Sequence, residues 1–298
     1  MQTEWLEVSV TVVPEAAEAI AEALNRYAPQ GVAIDLGMGD ETAVQEVTVK
    51  AYLAVDDGIA ERRQKVEEAL WHLQHIWPVI PDPLFTPIRD QDWTAGWKES
   101  IPVLHLGRRV VIKPSWREYA IQPGELLLEM DPGLAFGTGL HPTTQLCVEA
   151  LEDLVQPGMR VLDLGTGTAI LALVAAKLGA ADVLAVDNDV NAVVVARRNA
   201  RNNAAAHQIR VLHGSLAEVG EPYDLVVANI LAHVIVAMSA SGLATRIRRG
   251  GVLVVSGILE EQVDEVAAAL AAHGLSIAER RQRDSWVTLV ARKLHASR

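Results

Sequence analysis

Three short stretches place polar residues or glycines where an apolar run ends. The first, "VLDLGTGTAIL" (161–171), carries Asp163, Gly165 and Gly167. Glycines at the end of a strand let the backbone come close to a ligand at a helix N-terminus. The pattern is not the dinucleotide fingerprint Gly-x-Gly-x-x-Gly, because position 170, where the third glycine would fall, is Ile. A pyrophosphate needs that room and the helix dipole. A nucleoside cofactor without phosphate does not. The second stretch, "VLAVDND" (183–189), puts Asp187 about twenty residues past the glycines, where a carboxylate can accept hydrogen bonds from both ribose hydroxyls. Either Asp187 or Asp189 could instead cap the following helix. Asp189 is the better-placed cap, which leaves Asp187 for the ribose. The third, "YDLVVANIL" (223–231), ends in Asn229. A buried amide needs partners, and at a strand end facing the same crevice these are a cofactor or an acceptor substrate.

A fourth stretch, "DPGLAFGTGLHPTT" (131–144), holds three glycines, two prolines, Phe136 and His141. It could be a plain loop, a phosphate cradle or a lid over a cofactor. It precedes the strand that carries the glycine turn, so it can fold back over the crevice. Phe136 would then cover the cofactor, with Gly137 and Gly139 letting the backbone pass close. His141 and Thr144 would supply polar contacts.

The elements that must hold these residues follow from periodicity. "EWLEVSVTV" (4–12), "GVAIDLGM" and "EVTVKAYLAV" read as strands, and "PEAAEAIAEALNRYA" (14–28) and "IAERRQKVEEALWHLQHIW" (59–77) as amphipathic helices. A turn around Gly39 and Asp40 joins the two middle strands. A fourth strand within 84–93 completes βαββαβ, a ferredoxin-like module whose job is recognition or packing. The proline-dense "PVIPDPLFTP" (78–87) marks a boundary. Trp93, Trp97 and Trp116 follow, with a hairpin in "PVLHLGRRVVIKP" turning at Gly107. From about residue 121 strands and helices alternate, which predicts a doubly wound parallel sheet with ligands at the carboxyl ends of its strands. "RRNARNN" (197–203) reads as the exposed end of a helix, and "RIRRGG" (246–251) as a basic last turn with a glycine cap.

Composition narrows the class. Of 298 residues half are apolar, and no uncharged apolar run is long enough for a transmembrane helix. The start "MQTEWLEVSV" lacks the basic and apolar regions of a secretory signal. Cys147 is the only cysteine, so no intrachain disulfide can form and no metal site is expected. It reads as core. The net charge of −12 argues against a broad phosphate-backbone grip. A cytoplasmic monomer acting without membrane or nucleic acid is expected.

Taken together, Asp163, Gly165, Gly167, Asp187 and Asn229 resemble the set of a class I S-adenosylmethionine-dependent methyltransferase. "DPGLAFGTGLHPTT" followed by "ANILA" is similar to the methyltransferases of large-subunit ribosomal protein eleven. So are "DW…WK" (Asp92, Trp93, Trp97, Lys98), "KPSW" (Lys113 to Trp116) and "SGIL" (Ser256 to Leu259). The resemblance spans essentially the whole chain. It implies a ferredoxin-like substrate-recognition domain over 1–90, a linker with a Trp-rich hairpin over 91–120 and a Rossmann-like methyltransferase domain over 121–298. It also implies transfer of methyl groups from S-adenosyl-L-methionine to lysine side chains and the N-terminal amine of that ribosomal protein. Thr144, Gly165, Asp187 and Asn229, with Phe136, Asp163 and Gly167, would hold the cofactor, and Asn229 and His141 would serve catalysis. One departure stands out: Thr168–Ala169 replaces the family's usual small-residue and glycine pair. A positive φ at Ala169 would be costly.

Two other methyl acceptors deserve weight, lysines of a different protein or a small-molecule amine. A nucleic-acid base acceptor fits less well, since the Asn-Pro-Pro-aromatic motif of such enzymes is replaced here by "NILA". A catalytically dead binding domain is disfavoured because every cofactor position holds a competent residue.

Overall fold

A computed structural model describes residues 4–28, 32–36, 47–76, 80–89, 102–131 and 141–293. Phe136, Gly137, Gly139, Trp93, Trp97, Lys98 and the turn at Gly39–Asp40 lie outside the described residues. The chain divides into two compact units. One is Met1–Val103 with Pro114–Arg117 and Asp131–Phe136, and the other is Leu104–Lys113, Glu118–Met130 and Gly137–Arg298.

In the first unit the order is β1 (Glu4–Val12), α1 (Pro14–Asn25), β2 (Val32–Leu36), β3 (Val47–Ala54), α2 (Ile59–Ile76) and β4 (Leu84–Arg89). The sheet is antiparallel with strand order β2-β3-β1-β4, the ferredoxin-like arrangement. Alternation decides which face is core: Val8, Val10 and Val12 of β1 and Val47, Val49, Ala51 and Leu53 of β3 are buried. They meet Ala16, Ala17, Ile20 and Leu24 of α1 and Val66 and Leu70 of α2. Pro14 opens α1, where its missing N–H costs nothing. On the other face the Tyr52 hydroxyl donates to Glu7 across the β1–β3 pair (3.0 Å).

The second unit begins with β5 (Leu104–Leu106), β6 (Val110–Lys113) and β7 (Leu126–Glu129). β5 and β6 form the expected hairpin, with Leu106 opposite Val110 and Gly107 at φ +56°. β7 joins β6 in parallel. Next come α3 (Pro142–Leu154), β8 (Arg160–Leu164), α4 (Ile170–Lys177), β9 (Asp182–Asp187), α5 (Val190–Asn202) and β10 (Ile209–His213). The chain continues with β11 (Tyr223–Asn229), α6 (Ala232–Ala240), β12 (Ile247–Leu259), α7 (Val263–Ala271), β13 (Leu275–Arg283) and β14 (Trp286–Lys293). Strand order in the seven-stranded sheet is β10-β9-β8-β11-β12-β14-β13. β9, β8, β11 and β12 run parallel, whereas β14 pairs antiparallel with both β12 and β13.

Both faces of this sheet are covered, so the central strands are apolar throughout and their residues divide by parity. Val161, Val183, Ala185, Leu225, Val227, Val252 and Val254 join the core under α3 and α4. Leu162, Leu184, Val226, Leu253 and Val255 join the core under α6 and α7. Cys147 is fully buried on α3, as expected, and burial pushes its thiol up to about 12.

One reading of a basic stretch needs correction, and another holds only in part. Arg248 and Arg249 are not in a helix: a short 3-10 turn ends at Arg246 and β12 begins at Ile247. Between Tyr223–Ile247 and Leu225–Val252 the β11–β12 register slips, which loops out the Arg-Arg-Gly-Gly segment, with Gly250 at φ +75°. Nor is 197–203 merely an exposed helix end. Asn199 and Asn203, one turn apart, are buried and bonded.

Candidate active site

The glycine turn joins β8 to α4. Gly165 (φ +71°), Gly167 (φ +55°) and Ala169 (φ +66°) all take the left-handed conformation. Glycine is required at 165 on a second ground: a Cβ there would lie 2.4 Å from Ile230 Cγ2. Three side chains brace the turn from below. Asp163, 1 % exposed, accepts the Thr166 hydroxyl (2.6 Å) and the Ala172 amide (3.1 Å) through Oδ2. Its Oδ1 is buried with no hydrogen-bond partner among the described residues. Burial pushes the Asp163 carboxyl up to about 7, against those two hydrogen bonds, which favour the charge. Asn199 donates to the Thr168 carbonyl from α5 (2.9 Å). Asp187 completes the brace.

Asp187, at the end of β9, accepts the Gly167 amide through Oδ2 (2.8 Å) and the Asp189 amide through Oδ1 (3.0 Å). Asp189 caps α5 by accepting the Asn191 amide (2.8 Å), the capping role the sequence suggested for it. A carboxylate has about four acceptor sites. Two are used here, and the remaining pair suits a diol.

Asn229 ends β11 on the face covered by α3. Its Nδ2 donates to the Thr144 hydroxyl in the first turn of α3 (3.3 Å). His141 is the N-cap of that helix: Nδ1 accepts the Thr143 amide (3.3 Å) and lies 2.7 Å from the Thr143 hydroxyl. Burial pushes the His141 imidazole down to about 4, so the ring is neutral at neutral pH. Its ring packs edge-on to Trp286 with centroids 4.7 Å apart. Ile230 lies between two glycines. Besides Gly165, a Cβ on Gly257 (φ +81°) would sit 2.3 Å from the Ile230 carbonyl oxygen.

Asp163, Gly165, Gly167, Asp187, Asn229, Thr144 and His141 thus gather at or just beneath the carboxyl ends of the parallel strands of one sheet. Sequence reasoning gave no role at this edge to Asn199, to Trp286 or to Gly257, although Gly257 stands in the "SGIL" stretch quoted for the resemblance. Only Gly257 left a signal, a glycine inside an apolar strand pattern.

The chemistry of this set fits a nucleoside cofactor without phosphate. The turn lacks a third glycine, the Asp187 carboxylate keeps two acceptor sites beyond its two amide bonds, and the backbone at exposed Gly165 is bare of side chain. With an antiparallel strand inserted next to the sheet edge, the fold and site define a class I S-adenosylmethionine-dependent methyltransferase.

Comparisons agree. The profile of the family described as "Ribosomal protein L11 methyltransferase (PrmA)" matches residues 4–294. A ribosomal protein L11 methyltransferase of Chloroflexus aurantiacus is 44% identical, covering 98% of this chain and 98% of that protein. One of Pelotomaculum thermopropionicum is 40% identical, covering 97% and 99%. Among solved structures, a ribosomal protein L11 methylase of Lactobacillus delbrueckii subsp. bulgaricus superposes with a TM-score of 0.60 at 34% identity, covering 65% of this chain and 99% of that one. The chain belongs to the ribosomal protein L11 methyltransferase family.

Proposed function

We propose that this protein transfers methyl groups from S-adenosylmethionine to amino groups of ribosomal protein L11, at lysine side chains and the N-terminal amine. The observation that carries the amine-transfer reading is the Asn229–Thr144 pair beside the braced glycine turn. The family match over 4–294 supplies the substrate. S-Adenosylmethionine, when bound, supplies an activated methyl group on sulfur.

The chain's own residues would do the rest. Asp187 would bind the ribose, and Gly165 and Gly167 would let the cofactor lie against the backbone. Phe136 would close over it. Asp163 would act from beneath, holding the turn through Thr166 and Ala172. Because Asn229 Nδ2 is donated to Thr144, its carbonyl oxygen is left to accept from the incoming amine. The amine must arrive neutral, and lysine at a reference pKa of about 10.4 does not. Desolvation in the crevice lowers that value. His141 is too weak a base to take the proton, so it leaves to water. The role of His141 is to hold the first turn of α3, and with it Thr144, in place. The ferredoxin-like unit would recognise the protein substrate. A monomer in the cytoplasm, without nucleic acid, is the acting form; no helix among the described residues is long and apolar enough to cross a membrane.

The test is incubation of the purified protein with methyl-labelled S-adenosylmethionine and total ribosomal proteins. Label should enter L11. Label found only on RNA, on another protein or on a small molecule would refute the proposal.

A further inference from the structure

Asn229 and Ile230 are held by β12, and β12 is irregular at that level. Val255 pairs with Leu289 of β14 and Ile258 with Val287. Two residues of β12, Ser256 and Gly257, therefore face one residue of β14, Thr288. This is a β-bulge, and Gly257 takes the left-handed conformation that glycine adopts without strain (φ +81°). On its other side β12 pairs with β11, where Asn229 is opposite Ser256 and the Ile230 amide donates to the Ser256 carbonyl (3.2 Å). Gly257 lies flat on the Ile230 peptide, where a Cβ would come within 2.3 Å of its oxygen and 2.8 Å of its carbon.

The bulge is pinned by hydroxyls. Ser256 and Thr288 share a 2.6 Å hydrogen bond, and Ser256 also reaches the Val287 carbonyl (3.5 Å). Both side chains are fully buried. By strand parity Ser256 lies with Val252 and Val254, and Thr288 with Val290, on the face that also carries Asp163 and Asn229. Stability alone does not explain two hydroxyls there. Replacing both partners of a buried hydrogen bond by apolar groups of like shape is nearly neutral.

We infer that the Ser256–Gly257 bulge, pinned by the Ser256–Thr288 hydroxyl pair, is a positioning device for methyl transfer: it fixes the Asn229–Ile230 peptide that presents the acceptor amine. The inference rests on the transfer reading proposed above. Ser256 and Thr288 touch neither cofactor nor amine; they are positioning residues acting through Ile230 and Asn229. A misplacement of about 1 Å at a reacting centre can lower a rate about 100-fold, whereas cofactor binding at Asp187 lies on β9, two strands away from β11.

The experiment uses the full chain with Ser256→Ala and, separately, Thr288→Val, which keeps volume and removes the hydroxyl. Amide hydrogen exchange at Ile230 is measured without cofactor. S-adenosylmethionine affinity is measured by calorimetry, and kcat with L11. We expect Ile230 exchange at least about tenfold faster and kcat at least about tenfold lower, with cofactor affinity within about twofold. Thr288→Ser should restore both. Ile230 exchange and kcat staying within about twofold of wild type would overturn the inference. So would loss of cofactor affinity in step with kcat, altered exchange without altered kcat, or failure of both hydroxyl deletions to fold. Wild type run alongside separates the two claims: no transfer to L11 by wild type refutes the substrate reading, while Ile230 exchange decides the bulge by itself.

Discussion

The carboxylate of Asp187 accepts the amide of Gly167 across 2.8 Å, tying the end of β9 to the glycine turn that follows β8. One side chain therefore shapes the turn and, in the function proposed above, would also present acceptors to the ribose. Hydrogen bonds to a charged group contribute about 1.5–3 kcal/mol each. Losing two ribose bonds should weaken S-adenosylmethionine binding at least about 100-fold in Asp187→Ala. Asp187→Asn, which keeps one acceptor, should lose only about tenfold. Titration calorimetry reads both, and equal affinities for wild type and Asp187→Ala would remove Asp187 from the site.

Asn229 should separate binding from transfer. It is half-buried at a strand end, so Asn229→Ala should keep its fold, with Tm lowered by less than about 4 °C. Its kcat should fall about 100-fold or more, because the acceptor amine is no longer aligned. Thr144→Val, which removes only the partner of Asn229 Nδ2, should cost about tenfold. Rapid turnover by Asn229→Ala would move the acceptor site elsewhere.

Much of this site was legible because each residue interrupts a pattern. Asp163, Asp187 and Asn229 are polar endings of apolar strands, and Gly165 and Gly167 break the passage into a helix. β10 and β13 were not legible. "IRVLH" is too short and too mixed, and of "LSIAERRQR" only Leu275 is buried. Edge strands need little apolar surface and so lose their signal. Relations between distant positions were hidden for another reason. Asn199 reaches Thr168, and Ser256 reaches Thr288, only after strand order and register are set. Arg248 and Arg249 read as a helix end because a basic run before Gly-Gly looks the same when it loops out of a strand.

Two buried groups give opposite pH dependences. His141 falls from 6.5 to about 4 on folding, so the unfolded chain binds more protons and stability is lost as pH drops through that window. Asp163 rises from 3.8 to about 7, so the folded chain binds more protons and stability is lost as pH climbs through that window. At 1.36 kcal/mol per pH unit the two effects are on the order of 3 and 4 kcal/mol, and they largely cancel between about 4 and 6.5. Asp163→Asn should unmask the first: its urea midpoint should fall on acidification from pH 6.5 toward 4.5. His141→Asn, which keeps a capping side chain, should unmask the second, its midpoint falling as pH rises from 4.5 to 7. Parallel pH profiles for the two variants would contradict both assignments.

Ala169 is where the family's turn is altered, and the cost foreseen for a positive φ is present: φ +66°, ψ +23° at the N-cap of α4. A non-glycine residue in this region is strained by about 1–2 kcal/mol. Ala169→Gly would relieve that strain. Against it stand the lost burial of a methyl, about 0.8 kcal/mol, and the added freedom of the unfolded chain, about 0.4–1 kcal/mol. These terms nearly offset, so Ala169→Gly should change unfolding free energy by less than about 1 kcal/mol. Ala169→Val has no such compensation. A β-branched side chain at positive φ is disfavoured further, and Ala169 is fully buried, so added methyls meet a filled core. It should lose more than about 2 kcal/mol, with cofactor affinity falling as the turn shifts. Chemical denaturation of both variants distinguishes the cases, and Ala169→Val as stable as wild type would mean that the turn is not strained at this position.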